Sequence, residues 1–201
     1  MQGEEILSHT FEEYVDMVKS FHGSAAPGVL LGGFMVHFAS INYCLDVQYK
    51  VICETLKCLP DAVQILTPCT IGNKRLKVID VGRFALTFYD RTDGNGIRVY
   101  LDQKKTEAWP ELRSWYLKLK PKEQQDLQLL ISQIREANIT IFGKENILVD
   151  LKQIDREKKP VAICPLCNEA SNNFIGELCI ACKTECLPYV PSSPKKVLDC
   201  K

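Results

Sequence analysis

The chain has 201 residues, and its 25 lysines and arginines are balanced by 25 aspartates and glutamates. Because the formal charge is zero, no long-range positive field gathers phosphates, so we do not expect a nucleic-acid partner. A chain of this length can hold one full hydrophobic core and a small second module, and we therefore expect two domains.

The ten cysteines and the longest apolar run bear on the cellular setting. The chain is not short, its N-terminus is acidic and polar, and no signal-peptide pattern precedes it. We therefore expect reduced cysteines in the cytoplasm and not a secreted disulfide scaffold. The apolar run over residues 29–41 is shorter than the roughly 20 residues needed to cross a bilayer. It predicts a buried core helix and no membrane partner.

The first half of the chain alternates helical and strand patterns. A capping box at Thr10-Phe11-Glu12-Glu13 predicts a first helix over about residues 10–20. Pro27 is suited to the first turn of a second helix, which contains the apolar run. Alternation at Val47, Tyr49 and Val51 then predicts a strand that ends near residue 54, and a short helix follows from residue 60.

The second half begins with strands and continues with helices. Residues 75–80, 83–90 and 96–102 predict three successive strands on short turns, which is typical of an antiparallel meander. Residues 109–118 look helical, Pro121 is predicted to open another helix that ends near residue 137, and residues 139–151 are ambiguous. The expected fold class is α+β, with an antiparallel-rich sheet packed against helices.

Near the C-terminus, four cysteines form two close pairs, Cys164/Cys167 and Cys179/Cys182. Two Cys-x-x-Cys turns can bring four thiolates to one ion, so the spacing predicts a structural zinc site, one Zn²⁺ per chain. An iron-sulfur site and two redox pairs are the alternatives. The charged segment 155–160 is the linker candidate, which gives domains over residues 1–158 and 159–201.

Several segments resemble one protein family. The stretches Phe21–Gly32, Cys58–Gln64, Pro68–Gly72 and Asp80–Arg83, with the strand Phe88–Arg91, are similar to the FmdE family of formylmethanofuran dehydrogenase components over roughly residues 8–150. The resemblance implies an α+β core, followed by a four-cysteine finger of a treble-clef or DksA/TraR-like kind. It also implies a setting in one-carbon metabolism, where formylmethanofuran dehydrogenase is a molybdenum or tungsten enzyme.

The family motif His-Gly-His-x-Cys-Pro-Gly is incomplete in this chain. His22 and Gly23 match, but Ser24 stands at the second histidine and Ala26 at the cysteine. A neutral hydroxyl and a methyl group are poor transition-metal ligands, so a second metal is not expected in the core. The candidate cleft that remains consists of His22, Cys58, Asp61 and Cys69.

Each candidate also has a structural interpretation. His22 can be a histidine at a helix C-terminus, Cys69 a small buried side chain, and Asp61 a first-turn acid that interacts favourably with a helix dipole. The remaining cysteines divide into Cys44 and Cys53, which we expect in the core, and Cys186 and Cys200, which have no assigned partner.

Two functions from different classes follow. In the first, the protein is an accessory, non-catalytic member of the family that binds a ligand or partner in the cleft. In the second, it is a metal-dependent oxidoreductase or related enzyme with a second ion at His22 and Cys69. We expect a homodimer on base rates and a protein partner for the finger; a DNA-binding regulator is disfavoured by the even charge.

Overall fold

The computed structural model describes residues 5–45, 48–154, 159–184 and 186–188. The chain divides into two compact units, Met1–Ile154 and Asp155–Lys201. The predicted boundary, between residues 158 and 159, lies a few residues further along the chain.

Unit 1 begins with a two-stranded hairpin and a capped helix. Strand β1, Glu5–Ile6, pairs antiparallel with β2, His9–Thr10. Helix α1, Phe11–His22, follows, and the predicted capping box is confirmed: Glu13 N donates to the Thr10 hydroxyl, and Thr10 N donates to the Glu13 carboxylate at 2.8 Å. Gly23 ends the helix with φ +87°, a conformation that suits glycine.

Helix α2, Pro27–Asn42, is buried along most of its length, as its apolar run predicted. Ten of its residues are shielded from solvent, so the helix occupies the centre of unit 1. Gly33 allows α1 to approach closely, because a Cβ at this position would lie 2.3 Å from Tyr14 Cε1. The Tyr14 hydroxyl donates to the carbonyl of Val29 at 2.8 Å.

A five-stranded sheet packs against α2. Its strands, with α3 between the first two, are β3 (Tyr49–Cys53), α3 (Leu59–Leu66), β4 (Leu76–Val78), β5 (Ala85–Asp90), β6 (Asn95–Leu101) and β7 (Phe142–Leu148). The order across the sheet is β4-β3-β5-β6-β7. The pair β3/β4 is parallel and the other three pairs are antiparallel. The expected antiparallel-rich α+β class is confirmed. The predicted position Val47 lies outside the described residues.

The predicted meander of three strands is wrong at its first member. Strand β4 does not pair with β5, although the two follow each other in sequence; it pairs with β3. The reason is α3, because a strand-helix-strand connection returns the chain parallel to the strand it left. The antiparallel part of the sheet is therefore formed by β3, β5, β6 and β7.

Two helices and three 3₁₀ turns connect β6 to β7: the turns are Lys105–Ala108, Lys122–Gln124 and Asn138–Ile141, and the helices are α4 (Pro110–Tyr116) and α5 (Leu127–Ala137). Pro121 does not open α5 as predicted; it precedes only the second 3₁₀ turn. Asp126 caps α5 instead, since its carboxylate accepts from Leu129 N at 3.0 Å. The ambiguous stretch 139–151 proves to be mainly β7, which is followed by α6 (Leu151–Ile154).

Unit 2 is built from two hairpins and one short helix: β8 (Ala162–Ile163) with β9 (Ala170–Ser171), β10 (Phe174–Ile175) with β11 (Leu178–Cys179), and α7 (Ile180–Thr184). Both hairpins are antiparallel. Among the helices in the described part of the chain, none is long and apolar enough to span a bilayer.

Candidate metal centre and ligand-binding cleft

The four predicted cysteines of unit 2 come together. Cys164 and Cys167 lie on the turn between β8 and β9, Cys179 ends β11, and Cys182 is in α7. Their four Sγ atoms all lie within 4.8 Å of one another. This is the one group of three or more such donors that the described residues contain.

The spacing of the thiols fits one tetrahedral ion. The Sγ atoms of Cys167 and Cys179 are 3.8 Å apart. A tetrahedron with metal–sulfur bonds of about 2.3 Å, the usual length for zinc, has sulfur–sulfur edges of about 3.8 Å. In addition, Cys179 N lies 3.5 Å from Cys164 Sγ and donates a hydrogen bond to it. The four residues could therefore hold a single metal ion in a closed sulfur shell.

The electrostatics of this cluster show why a cation suits it. Backbone N–H donors, first that of Cys167 and then that of Cys179, lower the pKa of Cys164 to about 6. The thiol of Cys179 in turn raises the pKa of Cys182 to about 12 through a hydrogen bond, because neighbouring thiolates repel each other. A bound divalent ion removes this repulsion and deprotonates the thiols that coordinate it.

In unit 1, the structure pairs two of the predicted cleft residues. His22 is the last residue of α1, and Asp61 lies in the first turn of α3. His22 Nδ1 lies 2.6 Å from Asp61 Oδ2, with 29% and 28% of the two side chains exposed. Since a carboxylate only accepts hydrogen bonds, Nδ1 carries the proton and Nε2 remains free to accept. The structural interpretations of the two residues, the helix C-terminus and the first turn, also describe these positions.

Cys58 lies at the start of α3 in a strained turn. Its backbone has φ +56° and ψ −46°, and Leu59 N donates to Lys57 O across it at 2.5 Å. These are the marks of a γ-turn with positive φ, which is rare for a residue other than glycine. Burial, and then the charge of Asp61, raise the pKa of the Cys58 thiol. The thiol is therefore protonated at neutral pH.

The beginning of α2 packs directly on Cys58. A Cβ on Gly28 would lie 2.8 Å from the Cys58 Cβ and 3.0 Å from its Sγ, so this position requires glycine. Neither α2 nor α3 has a side chain that caps its N-terminus. The positive ends of two helix dipoles therefore meet near Cys58.

Cys69 lies apart from this group, which corrects the predicted cleft. It is fully buried beyond the C-terminal end of α3, and its Sγ lies 3.8 Å from the carbonyl of Tyr49. About 8 Å of helix separates Asp61 from Leu66, the last residue of α3, so Cys69 is not beside His22. The interpretation of Cys69 as a buried small side chain describes its position. Cys53 is buried as predicted, whereas Cys44 is exposed, against prediction.

A groove of about 890 Å³ opens next to Cys58. Apart from Gly28 and Cys58, its walls carry three aromatic residues, Phe84, Trp115 and Tyr116, and three lysines, Lys57, Lys118 and Lys122. The sequence reasoning did not identify these residues as a site, because they come from segments widely separated along the chain. The spacing of Trp115 and Tyr116, adjacent at the end of a helix, was the one available signal.

Comparisons with known proteins agree with this fold. The family model described as "FmdE, Molybdenum formylmethanofuran dehydrogenase operon" matches residues 21–146. The chain therefore belongs to the FmdE family, and the resemblance seen in its motifs is confirmed. A crystal structure of an FmdE-like protein of tungsten formylmethanofuran dehydrogenase, from Syntrophus aciditrophicus, is 44% identical, with a TM-score of 0.84. The match covers 94% of this chain and all of that one.

A second relative shares only part of its length with this chain. A probable S-adenosyl-L-methionine-binding protein from Archaeoglobus fulgidus is 35% identical over 99 residues. The match covers 45% of this chain and 27% of that protein. The comparison therefore extends to about a quarter of the relative, and its ligand does not carry over to this chain.

Proposed function

We propose that the four cysteines of unit 2 hold one structural Zn²⁺ in a treble-clef-like module. In support, two ligands come from the turn of one hairpin, and the other two come from the end of a second hairpin and the helix that follows it. Four thiolates complete the coordination of zinc and leave no position for water or substrate. The ion would then stabilise unit 2 and take no part in a reaction.

For unit 1, we propose an accessory role in one-carbon, formylmethanofuran-type metabolism, in which the cleft binds a ligand or partner without catalysis by this chain. The observation that carries the proposal is the contact of His22 with Asp61 at 2.6 Å, next to Ser24 and Ala26. The cleft thus offers a histidine–carboxylate pair, while the two positions at which the family motif has a histidine and a cysteine lack ligand atoms of that kind.

A second candidate function is a metal-dependent oxidoreductase or related enzyme. The same contact favours it, because a carboxylate on Nδ1 orients a histidine so that Nε2 can bind an ion. With Cys69 removed from the cleft, His22 and Cys58 would supply the donors for a second metal.

Metal content separates the two candidates. By mass spectrometry of the purified protein, we expect one zinc per chain in the wild type, and about one additional transition metal per chain in Ser24→His/Ala26→Cys. A matched control, Ser24→Ala/Ala26→Ser, should leave the count at one. More than one tightly bound metal in the wild type favours the enzyme, and an unchanged count in a folded double variant contradicts the idea of a remnant metal site.

The remaining proposals concern location and assembly. We propose that the protein acts in the cytoplasm as a homodimer and that unit 2 contacts a protein partner. Family membership and the base rate of two-fold dimers support these statements. Sedimentation of the full chain tests the dimer: a mass of one chain at micromolar concentration contradicts it.

A further inference from the structure

The groove beside Cys58 combines aromatic rings with unpaired positive charge. Tyr116 contacts Trp115, with ring centroids 6.4 Å apart, and Phe84 edge-on, with centroids 6.1 Å apart. The edge of Trp115 also reaches the start of α2, since its Cη2 lies 3.7 Å from where a Cβ on Gly28 would be. The three rings are half-buried, so each keeps some surface open to the groove.

The charged groups of the groove are unequal in number. Lys57, Lys118 and Lys122 are exposed, and none of them makes an ion pair within the described part of the chain. Asp80 is the one acidic residue in the lining. Its carboxylate accepts a hydrogen bond from Gly82 N at 3.2 Å. The lining therefore carries an excess of positive charge, and the uncapped starts of α2 and α3 add to it.

We propose that this groove binds a small ligand that consists of a flat aromatic ring with an attached carboxylate or phosphate. The volume, about 890 Å³, lies in the range of small-molecule sites. Aromatic side chains stack on flat rings, and lysines at the rim attract an anion. A neutral aromatic compound would leave the lysines without a partner, and a simple anion would leave the rings exposed to water. The groove thus fits a ligand with both parts.

This inference deepens the proposed ligand-binding role of unit 1 and rests on it. The metal count of the purified protein tests that role without reference to the groove. A ligand that binds here in a chain with one metal supports both statements. A second metal together with an empty groove would overturn both, and an empty groove in a one-metal chain would overturn this inference alone.

Calorimetric titration of the full-length, zinc-loaded protein tests the ligand class. The probes are adenosine 5′-monophosphate and 2-naphthoate as aromatic anions, adenosine as the neutral ring, and inorganic phosphate as the anion without a ring. At least one aromatic anion should bind at one site per chain, about tenfold more tightly than adenosine or phosphate. Binding of only one of the two anions identifies whether a phosphate or a carboxylate is preferred. If adenosine or phosphate binds equally well, or if neither anion binds at about 1 mM, the proposal is overturned.

Two variants place the ligand in the groove. Lys118→Ala should weaken binding of the preferred anion about threefold to fivefold, because one exposed charge contact is lost. Lys104→Ala removes an equally exposed lysine outside the groove and should have no effect. Trp115→Leu should weaken both aromatic anions. Equal affinities of Lys118→Ala and Lys104→Ala would show that the anion binds elsewhere, and the lysine variants give this answer even if Trp115→Leu does not fold.

Discussion

Unit 2 should depend on its metal for folding, and Cys167→Ser tests this directly. Among its described residues, the side chains buried from solvent are those of two of the metal-site cysteines, Cys164 and Cys179. Its larger apolar side chains are exposed: Val161 by 69%, Ile163 by 67% and Ile175 by 44%. A module that buries so little apolar surface cannot offset the conformational entropy lost on folding.

The size of the metal contribution follows from the same geometry. Structural Zn²⁺ in small modules contributes about 10–16 kcal/mol near neutral pH, which is as large as the whole stability of many domains. Replacing one thiolate of the sulfur shell by a hydroxyl removes a soft ligand that zinc prefers. We expect Cys167→Ser to lose the ion and unit 2 to unfold, while the separate core of unit 1 persists.

Hydrogen exchange of the full chain, read by mass spectrometry, measures this outcome. The amides of Asn168, Cys179 and Ile180 donate within the fold of unit 2 and should lose protection in Cys167→Ser or after chelation. Cys186→Ser is the matched control, because this cysteine is exposed and outside the four-thiol cluster. It should retain full protection. If the amides stay protected after the metal has been removed, the argument that the ion replaces a core is refuted.

Two further predictions concern unit 1. Gly33→Ala should lower the melting temperature by about 5–10 °C, because its Cβ would meet the ring of buried Tyr14 and overpacking costs about 1–3 kcal/mol; Gly72→Ala, which has open space, should change it little, and an equal effect of both would contradict the contact. Cys58 should react with iodoacetamide at least about tenfold more slowly than exposed Cys44 at pH 8, since burial raises its pKa, and its rate should climb as pH rises beyond about 9. Peptide mapping measures both rates, and fast labelling of Cys58 at pH 7 would contradict the assigned environment.

Local signals in the sequence were sufficient for the elements that local chemistry determines. The capping box at Thr10 and Glu13 fixed the start of α1, because its two hydrogen bonds form between residues three apart. The four cysteines converged because two-residue spacing limits how far each pair can separate. The burial of α2 followed from a run with no polar face.

Features that depend on distant segments could not be predicted in this way. Strand β4 pairs with β3 because α3 carries the chain across the sheet, and short turns alone suggested the wrong neighbour. Cys69 was grouped with His22 from a shared motif, yet the length of α3 separates the two ends. The groove joins Lys57 to Trp115, and no pattern relates residues so far apart in sequence.

The incomplete family motif has a structural explanation that separates scaffold from chemistry. Gly23 ends α1 in a left-handed conformation, Pro27 begins α2, and Gly28 admits Cys58, so all three positions serve the backbone. The two positions that depart from the motif, 24 and 26, are those at which a side chain would bind a metal. The fold therefore keeps the cleft open whatever occupies it. Of the motif's metal-ligand positions only His22 retains a ligand side chain, and since Asp61 orients it, replacing that pair is the change that affects chemistry without disturbing the scaffold.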